Sequence, residues 1–282
     1  MKKLLLLLCL LPIFATAQNF HFATRLGLAG YYGELKPASK PLSQLHVLGS
    51  IGAQYDLSQH LSTRGFLSFT KLRGDDKKGT AIMQQRNLNF QSKLWEVEAS
   101  LQYRFFNLNE SWWTPYVTAG LGLYHFNPYT KDTSGNKVYL RPLSTEGEGF
   151  LPGVSPYKKM QLSIPISVGA EYSLNEDARV GIEAGYRKVF TDYLDDVSTT
   201  YVDQTALRNA RGQQAVDLAW RGAGPYPNAK TPRGNSIKDK DGYYYIAVTC
   251  TLRYFFDKYK QIVGLPSSQH DKRVGCPASR VR

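Results

Sequence analysis

Apolar and polar side chains alternate with a period of two in eight segments of the sequence. In the clearest segment, residues 92–106, Trp95 and Val97 share one face while Glu96 and Glu98 share the other. Alternation over about ten residues is typical of a strand that crosses a membrane and exceeds the length of an average soluble strand. The predicted strands are residues 20–32, 47–57, 60–71, 92–106, 112–126, 162–174, 178–190 and 243–256.

The connections between the predicted strands alternate in length. Short links occupy residues 57–61, 107–114 and 174–178, whereas long links occupy about 33–46, 72–91, 127–161 and 191–242. Short turns at one end and long loops at the other are typical of bacterial outer-membrane barrels. The sequence therefore predicts an all-β fold, an eight-stranded antiparallel up-and-down transmembrane β-barrel with long extracellular loops, over residues 18–256. With an even number of strands, both termini are expected in the periplasm.

Two barrel architectures are compatible with this alternation, since a soluble barrel turns its apolar face inward and a membrane barrel turns it outward. The apolar faces supply on the order of 40 bulky side chains, more than an eight-stranded interior can hold, so a membrane barrel is favoured over a soluble ligand-carrying one. The opposite faces carry balanced charges, and charges removed from water require partners. We predict that they fill the lumen as an ion-pair network of Arg25, Arg64, Arg104, Arg187 and Arg253 with Asp56, Glu96, Glu98, Glu171 and Glu183. A filled lumen argues against a general diffusion pore, which needs about 16 strands.

Aromatic residues gather near the ends of the predicted strands, where the membrane interfaces are expected. These groups are Tyr31–Tyr32, Trp112–Trp113, Tyr243–Tyr245 and Tyr254–Phe256. We interpret them as interfacial girdles.

The first residues have the layout of a secretory signal peptide. Lys2 and Lys3 precede an apolar run from Leu4 to Phe14, and an A-x-A motif ends at Ala17. The run is too short for a membrane anchor, which needs roughly 18 apolar residues. We predict that residues 1–17 are a signal peptide and that the mature chain is exported.

The formal charge is +12, and the chain continues past the last predicted strand. Residues 257–282 carry six Lys or Arg against two Asp, which predicts a basic periplasmic C-terminal tail. The tail is interpreted either as a disordered extension or as a docking segment for a periplasmic partner. We expect outer-membrane lipid, and no nucleic acid, around the protein.

Catalytic and cofactor signals are weak in this sequence. None of the five histidines stands beside a plausible catalytic Ser or Asp partner in the sequence, and His125 falls on an apolar, outward face. Cys250 and Cys276 are too few for a disulfide framework. We therefore expect no enzymatic activity and no cofactor; a rim enzyme that uses His125 or nearby aspartates is a competing hypothesis.

An acid cluster follows the seventh predicted strand in RKVFTDYLDDVSTTYVD, residues 187–203. The spacing does not match a calcium loop of the EF-hand type. Asp192 and Asp195 follow Thr191, which favours capping of a short helix at the barrel rim, since carboxylates bind free N–H groups there. A weak divalent-cation site at Asp192, Asp195 and Asp196 and a contact with a partner are the alternatives. Residues 127–161 and 211–242 are rich in Gly and Pro and are predicted to be mobile surface segments.

Three segments carry a family resemblance: GLAGYYGELKP (27–37), TPYVTAGLGLYHFNP (114–128) and EAGYRKVFTDYLDDVSTTYVD (183–203). Together they resemble an outer-membrane β-barrel family that includes PorG, a component of type IX secretion. The resemblance implies a non-enzymatic barrel that associates with periplasmic secretion-ring lipoproteins. Our leading hypothesis is therefore an assembly or anchoring component of type IX secretion, and the alternative is a surface-binding barrel whose long outer loops engage a ligand or partner.

Overall fold

The computed structural model describes residues 19–35, 44–175, 177–234 and 240–253. The predicted signal peptide (1–17) and basic tail (257–282) lie outside these ranges. The strands are β1 (Phe20–Tyr32), β2 (His46–Asp56), β3 (Leu61–Asp75), β4 (Asn89–Arg104), β5 (Trp113–His125), β6 (Pro128–Lys131), β7 (Lys137–Tyr139), β8 (Met160–Ser173), β9 (Ala178–Val189) and β10 (Gly242–Leu252). The α-helices are α1 (Ala81–Arg86), α2 (Gln204–Arg211) and α3 (Gln213–Ala219), with 3-10 turns at Asp76–Lys78 and Arg141–Leu143.

Eight of the strands close into a barrel. Their order is β3-β2-β1-β10-β9-β8-β5-β4, and a further pairing of β3 with β4 completes the ring. All of these pairings are antiparallel, and the closing pair runs without interruption from Leu61↔Tyr103 to Asp75↔Asn89. The prediction of an eight-stranded antiparallel barrel is confirmed. No helix within the described ranges has the length and hydropathy needed to cross a membrane.

The apolar face of the barrel points outward. Leu121 is 68% exposed and Leu26 is 67% exposed, whereas Arg25 and Glu98, on the alternate face, are buried. This arrangement is expected when lipid rather than the lumen receives the apolar side chains. The soluble alternative, with its apolar face inward, is therefore wrong.

Strands β3 and β4 extend beyond their predicted ends at Lys71 and Ser92. They stay paired up to Asp75 and Asn89, and the short β6–β7 hairpin adds to them through Gln91↔Tyr129. The predicted long loop 72–91 is therefore shorter than expected, because strand pairing continues where the alternation of apolar and polar residues weakens.

The long connections fold together into a compact layer over one end of the barrel. We call this layer the cap; it comprises the described residues 33–35, 44–45, 76–88, 126–159, 190–234 and 240–241. Its apolar core is continuous with inward-facing residues at the adjoining strand ends. The core consists of Tyr31, Leu35, Leu72, Leu88, Phe90, Leu94, Tyr124, Phe126, Leu140, Leu143, Tyr157, Val189, Leu194, Val197, Val202, Leu207, Ala215, Val216, Leu218, Ala219 and Tyr243.

This packing differs from the prediction of mobile surface segments. Leu140 and Leu143 from the third long connection, and Val216 and Leu218 from the fourth, are buried. Full burial of one such side chain stabilises a fold by about 1.5–3 kcal/mol. The long connections are therefore a packed layer, in which the glycine and proline residues form turns.

Candidate functional site: the barrel lumen and the capped mouth

An ion-pair network formed by six of the predicted Arg and Glu side chains fills the lumen. Glu98 accepts hydrogen bonds from Arg25 (2.8 Å) and Arg187 (2.5 Å). Glu183 accepts from Arg64 at 2.7 Å and lies 3.3 Å from Nε of Arg25. The pairs join into one chain, which runs through Glu96, Arg187, Glu98, Arg25, Glu183 and Arg64. Each desolvated charge thus has an opposite charge in contact.

A second group of charges lies nearer the short-turn end. Arg104 pairs with Glu171 and with Asp56, the latter at 2.9 Å. Asp56 also pairs with Arg179 at 3.0 Å. Gln102 connects the two groups, because it accepts from Arg64 and donates to Glu171.

Aromatic side chains complete the lumen. The guanidinium of Arg25 lies 3.7 Å from the centre of the Phe66 ring. The hydroxyl groups of Tyr116 and Tyr245 both donate to Glu183. The described interior is therefore occupied by side chains that hold one another in place.

A cluster of buried carboxyl groups lies where the lumen meets the cap. We call Glu34, Asp192, Asp195 and Asp241 the mouth cluster. Glu34 follows β1, Asp192 follows β9 and Asp241 precedes β10. Since β10 pairs with both β1 and β9, the ends of three neighbouring strands bring these carboxyl groups together.

Hydrogen bonds fix several of these carboxyl groups. The Tyr31 hydroxyl lies 2.7 Å from Asp195 and 2.7 Å from Asp241, although its single hydrogen can serve only one of them. Asp241 also accepts from the backbone N–H of Leu194 at 2.8 Å. Gly33 closes over this arrangement, because a Cβ atom there would lie 1.8 Å from the Tyr31 hydroxyl oxygen.

The electrostatics of the mouth cluster favour the neutral acids in the absence of a cation. Burial, followed by the charges of Asp195 and Asp192, raises the pKa of Glu34 to about 9. Burial raises the pKa of Asp195 to about 7. Burial and the charge of Asp195 also hold the pKa of Asp241 well above its ordinary value. Carboxylates gathered in a poorly hydrated site require either protons or a positive partner.

Asp196 belongs to a separate buried polar group in the cap. It accepts from the hydroxyls of Thr145 (2.8 Å) and Tyr157 (2.7 Å). Arg233 donates to the Asp196 carbonyl at 2.6 Å and pairs with Glu146 at 3.1 Å. This group ties the third long connection to the fourth.

The sequence of the chain matches a known family. The family model described as "Outer membrane protein beta-barrel domain" matches residues 4–207. The chain belongs to this family. Membership agrees with the outward apolar face and places the protein in the bacterial outer membrane.

Solved structures of other outer membrane proteins are similar to this member of the family. Neisserial surface protein A has a TM-score of 0.42 at 12% identity, and the match covers 83% of this chain and 97% of that protein. Ail of Yersinia pestis, solved with a heparin analogue, has a TM-score of 0.40 at 7% identity, with coverage of 83% and 96%. OprG of Pseudomonas aeruginosa has a TM-score of 0.39 at 11% identity, with coverage of 82% and 92%. No curated protein matches the sequence.

The residues predicted for the lumen network of this outer-membrane barrel form ion pairs in the interior, with the exception of Arg253. Nine have the contacts given above: Arg25, Asp56, Arg64, Glu96, Glu98, Arg104, Glu171, Glu183 and Arg187. Arg253 is half-buried at the short-turn end, and within the described ranges it forms no ion pair. Arg179, which was not predicted for the network, pairs with Asp56 instead.

The aspartates of residues 187–203 differ from the predicted arrangement. Asp192, Asp195 and Asp196 lie in an irregular segment and cap no helix. The fourth aspartate of this stretch, Asp203, does cap a helix, because it accepts from the Ala206 N–H at the start of α2. The three carboxylates that converge are instead Glu34, Asp192 and Asp241. Sequence spacing gave no signal for this set, because it comes from three distant segments.

The girdle assignment needs a correction at the long-loop end. Tyr32 faces outward, but Tyr31 is buried in the cap core, and Tyr243 and Tyr245 face the lumen. The alternation of β1 carries the signal that was missed, because Tyr31 shares its strand face with Arg25.

The described histidines form no catalytic arrangement. His125 stacks on Trp95 on the outer surface, with ring centres 5.8 Å apart. His21 lies 3.8 Å from Asp56, but the Ser62 hydroxyl donates to Asp56 and not to His21. A hydroxyl nucleophile would need the histidine between itself and the acid.

Proposed function

We propose that this outer-membrane barrel is a non-enzymatic anchoring or assembly component, and that it serves type IX secretion. The observation that carries the proposal is the filled interior: the charge network occupies the lumen, and the cap core continues it across the mouth. A barrel whose described interior is filled in this way is unsuited to be a general diffusion pore. It is suited to hold a rigid surface at a fixed place in the membrane.

One of the three segments that resemble the PorG-containing family supports this proposal. Residues 183–203 begin in β9, contribute Glu183 and Arg187 to the lumen, and continue into the cap with the buried Leu194 and Val197. Its residues are thus used for structure, which suits a protein whose role is to bind partners through a stable shape.

Partners on the periplasmic side would be secretion-ring lipoproteins. The basic residues of 257–282 supply positive charge for such a contact, which is strengthened by an acidic partner surface. Termini on the periplasmic side, as proposed here, would bring this tail within reach of the ring.

The proposal is tested by deleting the gene and measuring export of type IX cargo. The full-length chain should restore export, and a chain without residues 257–282 should restore less. Affinity capture from solubilised outer membranes should recover ring lipoproteins with the full chain and fewer with the shortened one. Normal export of all cargo in the deletion strain would contradict the proposal.

A second function, binding at the cap surface, is favoured by one polar cleft. The cleft has a volume of about 340 Å³ and lies beside the β6–β7 hairpin, where Arg73, Lys131 and Arg221 face Asp75 and Asp132. Its excess of cationic groups suits an anionic ligand. A triple substitution of the cations by Gln should abolish such binding while export stays normal; unchanged binding would exclude the cleft.

A further inference from the structure

The mouth cluster has the composition of a site for a hard divalent cation. Glu34, Asp192 and Asp241 each offer one carboxylate oxygen, and these oxygens all lie within 4.8 Å of one another. Two oxygens bound to one Ca²⁺ are separated by at most about 5 Å, twice the usual Ca–O distance. The three oxygens can therefore contact a common ion without rearrangement of the backbone.

Glu34 supplies an independent observation. Its side chain is 4% exposed, and neither carboxylate oxygen has a hydrogen-bond partner among the described residues. A buried carboxylate without partners is strongly destabilising, so its usual environment includes a donor or a cation. Within the described ranges, no Lys or Arg pairs with Glu34 or Asp241.

We propose that Glu34, Asp192 and Asp241 bind one Ca²⁺ ion, which fastens the cap to the barrel. Ligands made only of oxygen select Ca²⁺ or Mg²⁺ over zinc and copper. Ca²⁺ is favoured because it accepts irregular cages of protein carboxylates, whereas Mg²⁺ retains several waters. This inference does not depend on the proposed role in secretion.

The surroundings of the three ligands are rigid. Asp241 is held by the Leu194 N–H, and Asp192 accepts from the Ser198 hydroxyl at 2.7 Å. Gly33 allows the backbone to pass close to Tyr31 and so places Glu34 beside Asp241. An ion at this point would join the ends of β1, β9 and β10.

The test uses the purified full-length barrel in detergent, titrated with Tb³⁺ and then with Ca²⁺. Tb³⁺ takes the place of Ca²⁺ and emits when a nearby tyrosine, here Tyr31, is excited. We expect saturable emission from one ion per chain and its displacement by Ca²⁺. Glu34→Gln and Asp241→Asn should each weaken binding roughly tenfold or more, because each removes a charged ligand.

Asp217→Asn is the matched control, since Asp217 is an exposed cap carboxylate outside the mouth cluster, and its binding curve should equal that of the unchanged protein. Heat-modifiable mobility on gels checks that each barrel is folded, and Asp192→Asn replaces any variant that fails. No saturable binding, or equal binding by Glu34→Gln and the unchanged protein, would overturn the proposal. The proposal would also be overturned if the cap of the Glu34→Gln variant resisted proteolysis better than the cap of the unchanged protein, both in Ca²⁺ and in EDTA. The carboxyl groups of the cluster would then share protons and bind no cation.

Discussion

At the scale of single residues, Glu183 is the charge on which most of the lumen depends. It accepts from Tyr116 and Tyr245 and pairs with Arg25 and Arg64. Its interactions therefore connect side chains from β1, β3, β5 and β10. Removing one partner from a buried ion pair leaves an uncompensated charge, which is far more destabilising than loss of a surface pair.

Glu183→Gln should therefore destabilise the barrel by about 3–5 kcal/mol. The measurement is urea-dependent folding into lipid vesicles, followed by tryptophan fluorescence. Glu110→Gln, in an exposed turn, is the control and should change stability by less than about 0.5 kcal/mol. Equal midpoints for the two variants would show that the lumen charges are not mutually dependent.

The raised pKa of Asp196 predicts how the stability of the cap depends on pH. Burial, followed by the charge of Glu148, raises its pKa from 3.8 to about 8. The folded cap thus retains a proton that the unfolded chain releases. The stability due to this proton is complete below about pH 4 and is lost as the pH rises through about 8.

In EDTA, the urea concentration that opens the cap should therefore fall between about pH 5 and pH 8. Tryptophan fluorescence reports the opening, and Trp220 contributes to it from the cap. Asp196→Asn should flatten this part of the profile, since an amide does not titrate and Asn tolerates the left-handed backbone at this position (φ 68°). A variant with the same slope as the unchanged protein would assign the pH dependence to other groups.

The face on which a side chain lies could be predicted from the sequence when it depends on a single strand. Alternation along β4 was sufficient to place Glu96 and Glu98 on the inner face, because side-chain direction has a strict period of two. Glu34 and Asp241 could not be found in this way, since their proximity arises only when β1 and β10 pair. Tyr31 was assigned by its type, which favours an interface, although its parity with Arg25 indicates the interior.

At the scale of strands and helices, two exposed apolar side chains occupy different surroundings. Leu121 is 68% exposed on the outward face of β5, and Ile82 is 80% exposed on α1 in the cap. Lipid should surround Leu121 and water should surround Ile82. An equal substitution at the two positions separates these environments.

Leu121→Arg should destabilise the barrel in lipid vesicles by about 2–4 kcal/mol, as expected for arginine near the middle of a bilayer. Ile82→Arg should be within about 0.5 kcal/mol of the unchanged protein, because an exposed helix surface accepts a charge. Both are read from urea titrations in the same vesicles. Comparable effects would contradict the assignment of the apolar band to lipid.

The connecting elements were harder to predict than the barrel strands. Apolar positions such as Leu194, Leu207 and Val216 have no common period, and they form a core only because four connections meet over one barrel end. Gly and Pro content indicates turns but carries no information about long-range packing. The cap was therefore mistaken for surface covering.

At the scale of the whole molecule, barrel and cap form one continuous structure. Ion pairs fill the membrane-spanning part, and an apolar core with buried carboxyl groups fills the mouth. Small barrels have interiors that side chains can occupy completely, whereas water-filled channels need more strands. We infer that this barrel holds a folded surface in the outer membrane and conducts no ions.

Ion conductance across a planar lipid bilayer measures whether the lumen is closed. The purified full-length protein, with its folded state verified by heat-modifiable gel mobility, is inserted beside a 16-stranded porin as a positive control. We predict no steady open level for this barrel, since Arg25, Arg187 and Glu98 block the lumen in contact with one another. A reproducible open level from the folded protein would contradict the closed lumen and, with it, the proposed anchoring role.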